Sequence, residues 1–235
     1  MMIKEAIILA GGFGTRLQHV VQDLPKPMAP VKNMPFLNYL FDYLQKYGVG
    51  HVVLSTGYLH EKIENHYQCQ YKNIAISYAR EIDPLGTGGA IKFAFSKCEQ
   101  NDVLVLNGDT LFNIDLDDFF TFYKEKNTNL AIALRQVNDV SRYGSVKTDA
   151  SGRIIQFVEK NRESGSGFIN GGVYYLNKQL VQVMPEKDNF SFEKEVMEKY
   201  CHKQKYYGCP SNGYFIDIGI PEDYARAQVE LPELR

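Results

Sequence analysis

The chain has 235 residues, 44% of them hydrophobic and 23% charged, a balance too apolar for disorder and long enough for one domain with at most a small annex. Its 26 Lys and Arg against 28 Asp and Glu leave a net charge of −2, which excludes a broad electrostatic grip on nucleic acid or an anionic membrane, so any bound anion must be held by a local cluster. Cys69, Cys98, Cys201 and Cys209 show no two-residue spacing of a zinc or redox pair, and the early apolar run at 6–10 is too short for a membrane span or signal core; reduced thiols and a cytoplasmic location are expected.

In chain order, the periodicities predict a buried strand over 3–9, then a helix from Phe36, Leu37, Leu40, Phe41 and Leu44 that Gly48 stops. A strand over 52–56, a helix over 59–67, a strand over 74–79 and a helix over 90–98 follow. Next come a short apolar strand over 103–106, an acidic-started helix over 117–126 and a strand over 130–134. This alternation defines an α/β fold, with a mostly parallel central sheet and helices on both faces. Past about residue 137 the pattern changes. Residues 144–149 and 153–159 flank Ala150-Ser151-Gly152 as a hairpin, 172–176 and 213–218 read as strands, and 192–200 as a helix. The last helix opens at Pro221-Glu222-Asp223, where proline suits the first helical position and the carboxylates suit the positive end of the dipole. No linker or repeat divides the chain, so one domain over 1–235 is expected, its later third adding strands to the same sheet and building a substrate lid.

The first strand runs into Gly11-Gly12-Phe13-Gly14-Thr15-Arg16-Leu17. Glycines leaving a parallel strand let backbone N–H groups approach phosphates closely. Leu17 stands where a dinucleotide-binding fingerprint needs its third glycine, which disfavours a nicotinamide oxidoreductase, and no Gly-Lys-Ser/Thr closes a Walker loop. Arg16 adds a fixed fork of donors for phosphate oxygens. Lys26, between Pro25 and Pro27, is a cation on a stiff loop, and Pro27 biases its backbone to extended geometry. Asp109 and Asp217 each follow an apolar strand, where ligands collect in open α/β sheets. His60 and His66 lie roughly 240° apart on a helix and cannot share a metal face. The 16 Tyr and 14 Phe fall mostly at core spacing, as in Phe36/Leu40/Phe41 and Phe119/Tyr123, and read as packing; Tyr58 is expected at a rim or in the core.

Gly-Gly-Phe-Gly-Thr-Arg-Leu followed by Pro-Lys-Pro-Met-Ala-Pro-Val resembles the signature of the sugar-phosphate nucleotidyltransferases. Pro84-Leu85-Gly86-Thr87-Gly88-Gly89-Ala90, Asn107-Gly108-Asp109, Phe157-Val158-Glu159-Lys160, Asn170-Gly171-Gly172 and Ile216-Asp217-Ile218-Gly219-Ile220-Pro221 match in order. Within the family the set is most similar to guanylyltransferases acting on a heptose 1-phosphate. The resemblance implies a Rossmann-like, GT-A-like fold in which residues 1–137 mainly bind nucleotide and 138–235 mainly bind sugar phosphate. It implies GTP and a sugar 1-phosphate as substrates, Mg²⁺ as cofactor, no nucleic-acid or membrane partner, a possible homo-oligomer, and no room for the C-terminal hexapeptide-repeat β-helix of some members.

By the same resemblance Arg16, Lys26 and Asp109 are catalytic, and Asp109 and Asp217 hold the metal. Leu9, Gly11, Gly12, Gly14, Thr15, Arg16, Pro84, Gly86, Thr87 and Gly108 line the nucleotide, while Gly144, Glu159, Lys160 and Asn170 take the sugar phosphate. Rival readings are a mannose 1-phosphate guanylyltransferase, a uridylyltransferase for another sugar phosphate, or a silent sugar-nucleotide-binding regulatory subunit. Loss of Arg16, Lys26, Asp109 or Asp217 would mark the last, and all four are present.

Overall fold

A computed structural model of the protein describes residues 3–12, 14, 17, 21, 23–159 and 165–234. The first strand, β1 (Glu5–Leu9), is apolar along nearly its whole length because both of its faces are covered. After it come the short strands β2 (Pro30–Val31) and β3 (Met34–Pro35), α1 (Phe36–Lys46), β4 (His51–Thr56), α2 (His60–Tyr67), β5 (Gln70–Tyr71) and β6 (Ile74–Arg80). Then follow α3 (Gly86–Phe95), β7 (Asp102–Asn107), β8 (Thr110–Asn113), α4 (Leu116–Glu125) and β9 (Leu130–Val137). The later part holds β10 (Ser145–Thr148), β11 (Ile154–Val158), β12 (Gly167–Asn177), α5 (Lys178–Gln182), β13 (Tyr207–Ser211), β14 (Tyr214–Asp217) and α6 (Pro221–Glu230).

Strands β6, β4, β1 and β7 lie side by side and parallel, the centre that the alternating pattern predicts. Beyond β7 the same sheet continues through β12, antiparallel to β7, and β9, antiparallel to β12, with β13 parallel to β9 at the edge. The β10–β11 hairpin joins the first half of β12. The later third therefore extends the sheet, as expected. Strands β8 and β14 pair separately, which brings Asp217 opposite Thr110.

Alternation along the strands sorts the core onto two faces. Ile7, Val53 and Val105 pack with Ile91 and Phe95 of α3 and Leu180 of α5, while Ile8, Leu54 and Leu106 belong to the core of Phe36, Leu40 and Phe41 of α1, Phe119 of α4 and Tyr224 of α6. Among the described residues no helix is long and apolar enough to cross a membrane.

Some local expectations fail for physical reasons. Lys26 is not extended. It opens a 3₁₀ turn over Lys26–Met28, in which the Met28 N–H donates to the Pro25 carbonyl and the Ala29 N–H to the Lys26 carbonyl, while Pro27 sits early, where no N–H is needed. Helix α3 starts at Gly86, earlier than predicted, because three glycines of low helix propensity mask its first turn. The helix over 192–200 is π-helical at Glu193–Glu198. Strand β13 is hidden by Gly208 and Pro210, which an edge strand tolerates.

Candidate active site

β1 and β7 are parallel neighbours, so the loops after them leave the sheet at the same edge, the place where open α/β sheets bind ligands. A cleft of about 450 Å³ opens there. Of the predicted residues, Leu9, Gly11, Gly12, Gly14, Lys26, Pro84, Gly86, Thr87 and Asp109 line it. Gly108 lies just behind, its N–H donating to the Leu9 carbonyl at 2.9 Å and tying the two strand ends together. Thr15, Arg16 and Lys160 lie outside the described residues.

The charged centre is compact. The Lys26 ammonium donates to Asp109 Oδ2 and lies 3.8 Å from Asp217 Oδ1, so one cation is shared by the two carboxylates. Its stem passes under the glycine loop, where a Cβ on Gly14 would come within 2.9 Å of Lys26 Cβ. Asp109 Oδ1 also accepts from the Thr110 hydroxyl at 3.2 Å, and Asp217 Oδ1 accepts from the Gly219 N–H at 2.7 Å. The backbone closes the unit, with the Ile218 N–H donating to the Asp109 carbonyl at 3.0 Å. Burial pushes the Asp109 carboxyl up, but the charge and hydrogen bond of Lys26 outweigh it and hold the group below the usual carboxylate range.

This donor set fits a hard divalent cation. Two carboxylates offer oxygen ligands at one point, and among the described residues no cluster of three or more His, Cys, Asp or Glu forms a closed cage. Such a site leaves coordination positions for phosphate oxygens and water.

Gly144, Glu159 and Asn170 meet in a second group. A Cβ on Gly144 would lie 3.1 Å from Glu159 Oε2, and the Asn170 N–H donates to the Gly144 carbonyl at 3.0 Å. The Asn170 amide is oriented by its neighbours: its Nδ2 donates to the Tyr174 hydroxyl at 2.8 Å, and its Oδ1 accepts from the Gly172 N–H at 3.1 Å. Burial keeps the Tyr174 hydroxyl protonated by pushing it well above its ordinary range. A Cβ on Gly172 would approach Asn107 Nδ2 to 2.8 Å, and Asn107 lines the cleft, so the two groups abut across β7 and β12.

Thr87 lines the cleft, but its hydroxyl is committed to the wall behind, donating to Glu193 Oε2 and accepting from the Phe192 N–H at 2.9 Å. The neighbouring glycines serve that wall too: the Gly88 N–H donates to the Phe190 carbonyl, and a Cβ on Gly89 would come within 1.9 Å of the Asp188 carbonyl oxygen. Gly89→Ala is therefore expected to destabilise the protein by ~1–3 kcal/mol through overpacking against backbone, seen as a lower midpoint in thermal denaturation, and to weaken nucleotide binding.

Sequence reasoning missed Glu81, which ends its approach to the cleft just past β6. Its carboxylate accepts from the Ser55 hydroxyl at 2.9 Å and from the Leu85 N–H at 3.0 Å. The strand-end rule that singles out Asp109 would also have found it. Tyr58 is a rim residue, as expected, 37% exposed in a neighbouring recess that shares Glu81 and Pro84 with the cleft.

A profile of the Nucleotidyl transferase family matches residues 5–233, nearly the whole chain and every element that walls the cleft, so the chain belongs to that family. Nucleotidyltransferases of this family generally use a divalent metal. The chain is 50% identical over 227 residues to the D-glycero-alpha-D-manno-heptose 1-phosphate guanylyltransferase of Aneurinibacillus thermoaerophilus, covering 97% of this chain and 98% of that one. It is 44% identical over 220 residues to the protein of the same name from Campylobacter jejuni, covering 94% and 96%. The crystal structure of HddC from Yersinia pseudotuberculosis superposes with a TM-score of 0.87 at 38% identity, covering 97% of this chain and all of that one; HddC complexed with GMP-PN gives 0.86.

Proposed function

We propose that the chain transfers GMP from GTP to D-glycero-α-D-manno-heptose 1-phosphate, releasing pyrophosphate and giving a GDP-heptose for a bacterial surface glycan, with Mg²⁺ as its metal and the cytoplasm as its place of action. The observation that carries this reading is the Lys26 ammonium, shared by Asp109 and Asp217, in the wall of a glycine-lined cleft, in a chain half identical to a heptose 1-phosphate guanylyltransferase over nearly its whole length.

The chemistry needs little beyond electrostatics and position. An oxygen of the sugar 1-phosphate forms a bond to the α-phosphorus, the bond from that phosphorus to the bridging oxygen breaks, and its electron pair leaves on pyrophosphate. The nucleophile's second pKa is ~6, so much of it is already dianionic at neutral pH and no general base is required. The backbone of Gly11, Gly12 and Gly14 and the Arg16 guanidinium receive the triphosphate. Lys26 offsets charge that builds at the reacting phosphate. Asp109 and Asp217 would hold Mg²⁺, which supplies charge neutralisation of the phosphate oxygens when bound. Lys160 pairs with the sugar phosphate, while Gly144, Glu159 and Asn170 seat the sugar ring.

Glu81 supports the choice of base. A carboxylate only accepts hydrogen bonds, and guanine presents two adjacent donors, N1–H and the exocyclic amine, where adenine and the pyrimidines do not. Glu81→Gln is expected to reduce the preference for GTP over other triphosphates by roughly tenfold or more, the scale of a lost bidentate base contact. An unchanged nucleotide preference would remove Glu81 from base recognition. The function itself is tested by pairing four nucleoside triphosphates with mannose, glucose and heptose 1-phosphates and measuring pyrophosphate. The highest kcat/KM should belong to GTP with the heptose 1-phosphate, and faster turnover of any other pair would overturn the assignment.

A further inference from the structure

Residues 138–144 connect β9 to β10 and end at Gly144. The segment is organised from within and from its far neighbour: Asp139 Oδ1 accepts from the Ser141 N–H at 3.0 Å, the Tyr143 N–H donates to the Val140 carbonyl at 3.0 Å, and the Val140 N–H to the Gly165 carbonyl at 3.0 Å. A tie across to the metal side comes from Arg142, whose Nη2 donates to Asp223 Oδ2 at 2.6 Å. Asp223 sits in the first turn of α6 and is only 7% exposed; its other oxygen accepts from Arg226 Nη1 at 3.1 Å. Beside this pair the Tyr143 ring meets Phe215 of β14 edge-on at 6.0 Å, and the Arg142 guanidinium lies over the Tyr143 ring at 5.4 Å. β14 ends at Asp217, whose charge is felt by both Arg142 and Tyr143.

We propose that Arg142 and Asp223 form a latch that fixes the spacing between the Gly144 segment and the Asp217 carboxylate, which makes Arg142 a positioning residue for the sugar 1-phosphate. The inference rests on the assignment of Gly144 to the sugar side given above. A buried carboxylate must be paired, and Asp223 takes one partner from its own helix and one from a segment 81 residues away in sequence. The fork geometry of an arginine–carboxylate contact sets direction as well as distance. Because Arg142 itself is half-exposed, the pair adds little to global stability. Its effect on geometry is larger, since small misplacements of a reacting group are costly in rate.

The test compares Arg142→Ala, Asp223→Asn and the double variant by thermal denaturation, by GTP binding without sugar, and by separate KM values for GTP and the sugar 1-phosphate. Either single change is expected to raise the sugar 1-phosphate KM on the order of tenfold, with the GTP KM and GTP binding unchanged and the double variant no worse than the singles. Arg142→Lys should recover part of the loss. A rise in KM with Arg142→Ala but none with Asp223→Asn would overturn the latch in favour of direct substrate contact by Arg142. Equal rises in both KM values that follow the loss in thermal stability would reduce the pair to a structural contact. Insensitive variants of a chain that turns over normally would overturn the latch alone, whereas an unaltered chain inactive with every sugar 1-phosphate would overturn the functional assignment and the latch with it.

Discussion

Asp109→Asn is expected to lower kcat by ~100-fold or more while leaving the fold intact, the scale set by losing an electrostatic contact to developing charge. Asparagine keeps the size of the side chain, so the β7–β8 turn and the Ile218 N–H to residue 109 carbonyl bond should survive. What disappears is one of the two negative charges that flank the Lys26 ammonium and, by the same geometry, one of the two ligands offered to a divalent ion. Adding metal should recover little, because the missing oxygen charge cannot be replaced by mass action alone. Circular dichroism checks the fold and steady-state pyrophosphate release checks the rate; near-normal turnover at saturating Mg²⁺ would take Asp109 out of the metal site.

Lys26→Ala should cost even more, with kcat/KM for GTP falling by ~10²–10³-fold, since it removes a preorganised cation from the reacting phosphate. It also changes the acid response. In the unaltered protein the folded Asp109 carboxyl is held below its ordinary value, so the pair contributes stability that is present above the unfolded carboxylate pKa of ~3.9 and lost as pH falls through the lowered folded value. Without Lys26 only the Thr110 and backbone hydrogen bonds are left to oppose burial at Asp109, so its folded value rises and the stability that the carboxylate contributes above pH ~4 shrinks. Thermal denaturation in metal-free buffer should show the variant less stable at neutral pH, with the gap closing below pH ~4. A gap that is constant across this range would mean that the ion pair does not couple to folding.

The legible part of the fold was the part buried on both sides. β1, β4 and β7 announce themselves because the side chains along their middles meet a packed face on either side, and the two-face sorting of Ile7 against Ile8 leaves an unbroken apolar run rather than alternation. Elements that depend on tertiary contact were not legible. The first turn of α3 reads as a glycine loop, and its helical form is held from outside by the Phe190 carbonyl. Lys26 obeys local proline rules only until the turn hydrogen bonds of Met28 and Ala29 are counted.

The site divides in the same way. Glycines beside a strand and aspartates at strand ends have local signatures, so the cleft and its two carboxylates could be anticipated. Glu81 follows β6 as Asp109 follows β7 and so carries the same strand-end signal, but the Ser55 and Leu85 bonds that set its carboxylate on the cleft wall come only from the fold. Thr87 lines the cleft as the motif implies, while the turn of its hydroxyl to Glu193 is a detail that only the fold supplies. Arg142 and Asp223 have no common signal in the chain at all, and only the packing of α6 against the segment before β10 brings them together.

The proposed reaction depends on cations and a divalent ion that gather two polyanions in one cleft so that phosphate can attack phosphate. It is tested most directly by measuring pyrophosphate from GTP while the heptose 1-phosphate and the divalent metal are withheld in turn. Release should occur only when all three are present and should stop when a chelator is added. Release that continues without the sugar phosphate or without metal, or tight GTP binding with no release under any combination, would contradict the account.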